Sequence, residues 1–324
     1  MHLIIKPTGL CNFNCKFCSA HNLDIKHPSD HKVPDKIKNL ILKLKPDSLI
    51  ITGGEPLMVQ PDYYYELHKI RNCPISITSN LKDFFNNPNK WANLFKEEWF
   101  GVATSFNYGY TRMWDKHHVY NEEMFIKVMD MYRKYVSNDI PIFLAVIDEN
   151  NKDTVIDHVL LAKRLGTQAK LNSAIGAGLQ GKTYQRYNMF KHYLDIIYLG
   201  LSDYEYYCAS RHFDECPRNV NLFCTTSIRC CYVDSNDNLH VATCDEQLSF
   251  GHEIPENLIV PKSKIPISEI LDEKEFITPK CPYCELFTLC NGCRTNRDAA
   301  KEDPQYCNEM KKLEKEIINT GWMI

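Results

Sequence analysis

No stretch of this sequence stays apolar for the roughly 18 to 20 residues that a membrane-spanning helix requires. The apolar run at the amino terminus stops at Lys6, which is too short for the core of a signal peptide. Internal repeats and low-complexity tracts are also missing. We therefore expect a cytoplasmic globular protein, and 324 residues are enough for one large domain and a smaller one.

An excess of basic residues is missing as well. The chain has 38 Lys and Arg against 41 Asp and Glu, which gives a formal net charge of −3. Proteins that bind phosphate backbones usually carry a basic excess. Nucleic acid is therefore not favoured as a partner, although a local basic patch would be compatible with one.

Cysteine, in contrast, is abundant, with 15 residues. A reducing cytosol keeps thiols free, so this number indicates metal binding rather than a disulfide scaffold. Three cysteines lie at 11–18, one is Cys73, and the others lie between Cys208 and Cys307. The chemistry is thus expected near both ends of the chain.

Between residues 2 and 172, short apolar runs alternate with longer segments of helical periodicity. The apolar runs are LIIK, SLIIT, PISITSN, FGVATSFN, IPIFLAVI and QAKLNS. Six such runs joined by helical segments predict repeated βα units, and hence an α/β fold with a parallel sheet or partial barrel. Ligands of such folds bind at the carboxyl ends of the strands.

The first cysteine group, CNFNCKFC, follows the first predicted strand directly. The spacing Cys11-x3-Cys15-x2-Cys18 is too crowded for a zinc ribbon, which pairs two C-x2-C units across a longer gap. Four thiolates usually hold a four-iron cluster. Three on one short loop therefore fit a cluster with one iron left open to a substrate or cofactor.

This cysteine loop, with Phe17 before its last cysteine and ITGGEP after the second strand, resembles the radical S-adenosylmethionine (radical SAM) enzymes. The residues that match the two leading motifs of that family are Cys11, Cys15, Cys18, Gly53, Gly54, Glu55 and Pro56. The resemblance implies that the methionyl amine and carboxylate of S-adenosylmethionine (AdoMet) bind the fourth iron. Gly53 and Gly54 would let the backbone approach the methionyl amine. Asn80 and Ser105, at the ends of the third and fourth strands, are expected to contact the cofactor or to cap their strands.

The cysteines of the carboxyl-terminal part resemble the SPASM extension of radical SAM enzymes, which carries two auxiliary 4Fe-4S clusters. The resemblance assigns Cys224, Cys230, Cys244 and Cys293 to one cluster, and Cys281, Cys284, Cys290 and Cys307 to the other. Spacing alone does not separate iron-sulfur from zinc, so a zinc site is the alternative. Cys231 competes with Cys230 as a ligand, and Cys208 or Cys216 would replace ligands if the register differs.

Asp245 directly follows Cys244. Members of this extension that oxidise a substrate side chain place an acidic residue there as a base, and a carboxylate beside a cluster can take a proton while the cluster takes the electron. The resemblance thus makes Asp245 a candidate catalytic base. The alternative is a solvated acid or a turn cap.

The implied fold is a partial (β/α)6 TIM-like barrel over 1–200, with a small cysteine-rich iron-sulfur domain at 201–324. The implied protein is a radical SAM oxidoreductase or maturase that cleaves AdoMet to a 5′-deoxyadenosyl radical, using electrons from a flavodoxin- or ferredoxin-type donor. A peptide or protein substrate, modified by side-chain oxidation or cross-linking, is favoured. The alternatives are a small molecule, nucleotide or nucleic-acid base as substrate, and a non-catalytic iron-sulfur or zinc-binding module.

Overall fold

The computed structural model describes residues 2–18, 20, 23–28, 32–174, 184, 186–210, 228, 230–242, 247–250, 284 and 299–321. Six strands lie side by side in chain order and are all parallel. They are β1 (His2–Ile5), β2 (Ser48–Ile51), β3 (Ile75–Ser79), β4 (Phe100–Ser105), β5 (Phe143–Ile147) and β6 (Ala169–Ser173). Each prediction of a strand is confirmed, and so is the partial barrel.

Helices connect these strands and cover one side of the sheet. They are α1 (Asp35–Leu44), α2 (Pro61–Arg71), α3 (Lys82–Asn86), α4 (Pro88–Phe95), α5 (Glu122–Tyr135), α6 (Val155–Leu165), α7 (Arg186–Tyr198), α8 (Tyr206–Ser210) and α9 (Tyr306–Asn319). The start of α5 shows why the sequence forms a helix there: the Asn121 side chain accepts a hydrogen bond from the Met124 backbone N–H at 2.9 Å. Among the described residues, no helix is long and apolar enough to cross a bilayer.

The sheet has a closed face and an open one. Side chains of alternate residues point to opposite faces of a strand, and Leu3 and Ile5 on β1 are fully buried under the helices. Their neighbour Ile4 is only partly buried, as are Leu144 and Val146 on β5. The partly exposed side chains line the concave face, which is the interior of the partial barrel.

Three further strands continue the sheet beyond β1. They are β7 (Cys230–Val233), β8 (Leu239–Ala242) and β9 (Gln247–Phe250). β7 is parallel to β1, whereas β8 and β9 are antiparallel to their neighbours. Helix α9 contacts α7, and the Tyr187 hydroxyl of α7 donates to Asp303, which precedes α9, at 2.9 Å. The domain boundary at residue 200 stays a prediction, and the sheet itself runs across it.

Candidate functional site

The cysteine loop leaves the carboxyl end of β1 and is fastened to the loop that follows β2. The Gly54 N–H donates to the Thr8 carbonyl at 2.9 Å, and the Glu55 N–H donates to the Leu10 carbonyl at 2.7 Å. Carboxyl ends of parallel strands share one edge of the sheet. The two motifs identified in the sequence are therefore in direct contact.

Gly54 is required by this contact. A Cβ atom on Gly54 would lie 2.2 Å from the Leu10 carbonyl oxygen and 2.7 Å from the Gly9 backbone. Gly53 has a φ of +131°, which side chains rarely adopt, and its Cβ would lie 2.9 Å from the Thr8 oxygen. In the described part of the chain, the close approach of the cysteine loop explains why glycine occupies both positions. The approach of this backbone to the methionyl amine of AdoMet stays a prediction.

Glu55 is buried and holds the end of β3. Its carboxylate accepts hydrogen bonds from the Ser79 hydroxyl at 2.6 Å, the Asn80 N–H at 2.8 Å and the Leu57 N–H at 2.9 Å. Burial raises the pKa of Glu55 to about 7, and the three donors oppose that rise. Next to it, the Pro56 carbonyl accepts a bond from the Tyr64 hydroxyl at 2.7 Å. The GGEP turn, which follows β2, therefore also holds the end of β3 in place through hydrogen bonds.

Asn80, directly after β3, reaches the cysteine loop. Its side-chain N–H2 donates to the Asn12 side-chain oxygen at 2.8 Å and lies 3.8 Å from the Cys11 sulfur. Its side-chain oxygen accepts from the Lys82 N–H at 2.9 Å. Asn80 therefore caps the turn into α3 and also contacts the cysteine loop, while its predicted contact with AdoMet stays a prediction.

Arg112 is a site residue that the sequence reasoning missed. Its guanidinium is buried and donates to the Ser105 hydroxyl at 2.9 Å and to the Asn107 side-chain oxygen at 2.7 and 3.0 Å. It also lies over the Phe17 ring, 5.0 Å from the centroid. A single arginine after a strand has no spacing signal. Arg112 is recognised as a site residue only in the structure, where its loop contacts the cysteine loop: the Lys16 N–H donates to the Thr111 carbonyl at 2.9 Å.

The three thiols of the loop are partly or fully buried and influence one another. Burial raises the pKa of Cys11 to about 12, and negative charge on Glu55, Cys15 and Cys18 adds to the rise. Burial also raises the pKa of Cys15, while the positive charge of Arg112 opposes it. A bound metal cluster would favour the thiolate form and lower these pKa values, because thiolates are its ligands.

The donor set of the cysteine loop consists of three thiols, which are the usual ligands of iron-sulfur clusters. Among the described residues, no three His, Cys, Asp or Glu side chains are close enough to hold one metal ion. A four-iron cluster binds each thiolate at a different iron, so its ligands are more widely spaced than those of a single ion. Three soft thiol donors grouped on one loop are compatible with a cluster bound by Cys11, Cys15 and Cys18.

Aromatic side chains pack against the cysteine loop. The Phe13 ring contacts Trp114 at 5.4 Å and Tyr120 at 5.0 Å between centroids. The Lys82 ammonium lies 4.8 Å from the Trp114 ring centroid and donates to the Trp114 carbonyl at 2.5 Å. This packing shields one side of the loop from water.

The sheet register separates the neighbouring cysteines of β7. Cys230 is opposite Ile4, and Cys231 is opposite Ile5. Cys231 is therefore on the helix-covered face and is fully buried, whereas Cys230 is on the concave face and partly exposed. Cys231 has the surroundings of a core thiol, so the register favours Cys230 as the candidate ligand.

Five of the other predicted ligands lie outside the described residues, namely Cys224, Cys244, Cys281, Cys290 and Cys293. The alternative ligand Cys216 and the predicted base Asp245 lie outside them as well. Cys284 is partly buried, and Cys307 is exposed on α9. Cys208 is buried, with its sulfur 4.0 Å from the Tyr193 carbonyl oxygen. The two auxiliary ligand sets and the base therefore stay predictions.

Residues 5–162 match the family model described as Radical SAM superfamily. No curated protein matches the sequence. Among solved structures, the chain is similar to native anSMEcpe with bound AdoMet and Cp18Cys peptide. That match has 16% identity and a TM-score of 0.60, and covers 98% of each chain.

Two structures of Streptococcus suis SuiB are also similar. One has S-adenosylmethionine bound and matches with 15% identity and a TM-score of 0.60, covering 89% of this chain and 71% of that chain. The other has the precursor peptide SuiA bound and matches with 13% identity and a TM-score of 0.56, covering 89% and 70%. At these identities the likeness shows a common fold.

Proposed function

We propose that this chain, whose residues 5–162 match the Radical SAM superfamily model, is a radical SAM enzyme that modifies a peptide or protein. The family implies a 4Fe-4S cluster and AdoMet. In the proposal, Cys11, Cys15 and Cys18 bind the cluster, and AdoMet binds at its open iron. The product carries an oxidised or cross-linked side chain.

One observation carries the proposal: the two loops are fastened together. The backbone bonds of Gly54 and Glu55 to the cysteine loop fix the relative position of the thiols and the GGEP turn. A cofactor that binds an iron with one end and the turn with the other needs this fixed distance. A cysteine loop that only stored metal would not need it.

When bound, the cluster and AdoMet supply a carbon radical able to remove hydrogen from an unactivated carbon. The protein supplies position and charge. Arg112 places positive charge near Cys15, which favours the thiolate that iron requires. Asn80 lies near the Cys11 sulfur, where its N–H2 group adds a weak hydrogen bond. The Phe13 and Trp114 rings exclude water from one side.

Two findings support a peptide substrate. The similar structures of anSMEcpe and SuiB contain a bound Cp18Cys peptide and the precursor peptide SuiA. In this chain, the concave face of the sheet has partly exposed side chains on β5 and β6, including Val146 and Asn172. An open concave face next to the cysteine loop leaves an extended chain access to the radical.

The auxiliary part of the proposal rests on the sequence and on Cys230. The position of Cys230 on the concave face is compatible with a ligand that faces the substrate. With two auxiliary clusters and the cluster of the cysteine loop, the anaerobically reconstituted protein should contain about 12 iron atoms. Asp245 would then act as the base that takes the substrate proton. About four iron atoms with stoichiometric zinc would contradict the auxiliary clusters.

The direct test is formation of 5′-deoxyadenosine from AdoMet and a reductant under anaerobic conditions. The Cys15→Ala variant should lose this product, because its cluster loses a ligand. Cys73→Ala is the matched control: Cys73 is also buried but precedes β3, at the opposite edge of the sheet. Product from Cys15→Ala, or equal loss in Cys73→Ala, would refute the site.

A further inference from the structure

Lys82, the first residue of α3, reaches the cysteine loop with its side chain. Its ammonium donates to the Asn12 carbonyl at 3.3 Å, and Asn12 directly follows Cys11. The same ammonium donates to the Trp114 carbonyl at 2.5 Å. One lysine therefore joins the cysteine loop to the loop between β4 and α5. Its charge is held at the residue next to a predicted cluster ligand.

Two aromatic rings cover the Lys82 ammonium. The ammonium lies 4.8 Å from the Trp114 ring centroid and 5.8 Å from the Phe13 ring centroid. Cation–π attraction and the two carbonyl acceptors together hold the ammonium in one place. Because the rings keep water away from it, this charge is screened less than that of a lysine in open solvent.

The charge of Lys82 is coupled to Cys11. Burial lowers the pKa of Lys82, whereas negative charge on Asp115 and on Cys11 opposes that decrease. Asp115 already accepts hydrogen bonds from the His117 and His118 backbone N–H groups at 2.8 and 2.9 Å, and its side chain is 40% exposed. These donors and the surrounding water reduce the negative charge that Asp115 presents to Lys82.

The three thiols otherwise have negative neighbours. Burial and the negative charges of Glu55 and of the other two thiols all raise the pKa of Cys11. Arg112 is the second cation of the site, and its charge opposes the rise that burial causes in the pKa of Cys15. Lys82 therefore supplies positive charge near Cys11, and Arg112 supplies it near Cys15.

We propose that Lys82 raises the reduction potential of the cluster bound by Cys11, Cys15 and Cys18, although it binds no iron itself. The proposal rests on the proposed function. When the external donor gives the cluster one electron, it adds one negative charge to a site that already contains three thiolates. A fixed cation beside that site makes the reduction more favourable. Lys82 thereby helps a flavodoxin- or ferredoxin-type donor to reduce the cluster.

A redox titration followed by EPR, on the reconstituted full-length protein, tests the proposal. The signal to follow is the one that is missing from Cys15→Ala, since that signal belongs to the cluster of the cysteine loop. Lys82→Gln removes the charge but keeps a hydrogen-bond donor. It should lower the equilibrium constant for reduction about tenfold, which is about 59 mV for one electron. Lys82→Arg keeps the charge and should keep the wild-type potential.

Lys163→Gln is the matched control. The Lys163 ammonium also lies over an aromatic ring, 5.5 Å from the Tyr204 ring centroid. Lys163 belongs to the last turn of α6, which leads into the amino end of β6, at the edge of the sheet opposite the cysteine loop. The variant makes the same charge change and should have the wild-type potential. An equal shift in both glutamine variants would show that only the overall charge matters.

Three other outcomes would also overturn the proposal. The first is an unchanged potential in Lys82→Gln with a normal iron content. The second is an equal fall in Lys82→Arg, because the contacts rather than the charge would then be responsible. The third is loss of the cluster from Lys82→Gln, which would assign Lys82 to holding the loop. Formation of 5′-deoxyadenosine by the wild type separates these failures from a failure of the proposed function, which a wild type without that product would refute.

Discussion

Replacing Gly54 by alanine should separate the cysteine loop from the GGEP turn. The new Cβ would lie 2.2 Å from the Leu10 oxygen, and ordinary contact begins at 3.4 Å, so the two loops must part by about 1.2 Å. The bond from the Glu55 N–H to the Leu10 carbonyl, now 2.7 Å, would then be too long for a hydrogen bond. The neighbouring bond to Thr8 would weaken as well.

The cost is the loss of these bonds plus the strain of overpacking. A backbone hydrogen bond contributes about 0.5 to 1.5 kcal/mol, and overpacking costs about 1 to 3 kcal/mol. We expect Gly54→Ala to lower the free energy of unfolding by about 2 to 4 kcal/mol. It should also reduce bound iron and 5′-deoxyadenosine formation, because the thiols and the turn lose their fixed distance.

Gly101→Ala is the matched control. The nearest atom to its Cβ would be the Ser76 Cβ, at an ordinary contact distance of 3.5 Å. That variant should stay within about 0.5 kcal/mol of the wild type. Urea unfolding, iron analysis and product assays on both variants decide the matter. A Gly54→Ala protein with wild-type stability and iron content would refute the reasoning.

Two further predictions concern Asn80 and His158. Asn80→Asp replaces the donor near the Cys11 sulfur with a negative charge, so the reduction potential of the cluster should fall; an unchanged potential in a redox titration followed by EPR would contradict this. His158 is buried with a pKa lowered to about 4 by burial, and it accepts from the Tyr108 N–H at 3.1 Å. Between pH 6.5, the ordinary pKa of histidine, and about pH 4, His158 is protonated in the unfolded chain but neutral in the folded chain. The free energy of unfolding therefore decreases as the pH falls through this range. His158 should lower the free energy of unfolding by about 2 kcal/mol between about pH 7 and about pH 5. In urea unfolding, the His158→Gln variant should not show this decrease, and a decrease equal to that of the wild type would contradict the prediction.

Most strands and helices could be predicted from the sequence because a short, contiguous pattern of residues encodes each of them. The run PISITSN became β3, and the helical segment that follows FGVATSFN became α5, whose start the Asn121 side chain caps. Helix α3 was not predicted, since it is only five residues long and starts after Leu81, whose φ is 59°. The pairing of β7 with β1 was not predicted either, because no local pattern encodes contact between segments so far apart in the chain.

The candidate site also has features that local sequence patterns predict and features that depend on contacts between distant segments. Cysteine spacing and GGEP are local signals, and they placed both loops at the correct edge of the sheet. The position of Arg112 between Ser105 and Phe17 depends on the packing of three loops, so the sequence did not reveal it. The steric reason for Gly54 was missed for the same cause. Its obstacle is the Leu10 carbonyl, which belongs to another loop.

The central claim is that the cluster bound by Cys11, Cys15 and Cys18 keeps one iron for AdoMet. Pulsed EPR of the reduced protein with AdoMet isotopically labelled at the methionyl amine tests this most directly. We predict a hyperfine coupling between the labelled nitrogen and the cluster, absent without AdoMet and in Cys15→Ala. A cluster whose spectrum does not change with AdoMet, because a fourth protein side chain binds that iron, would contradict the account.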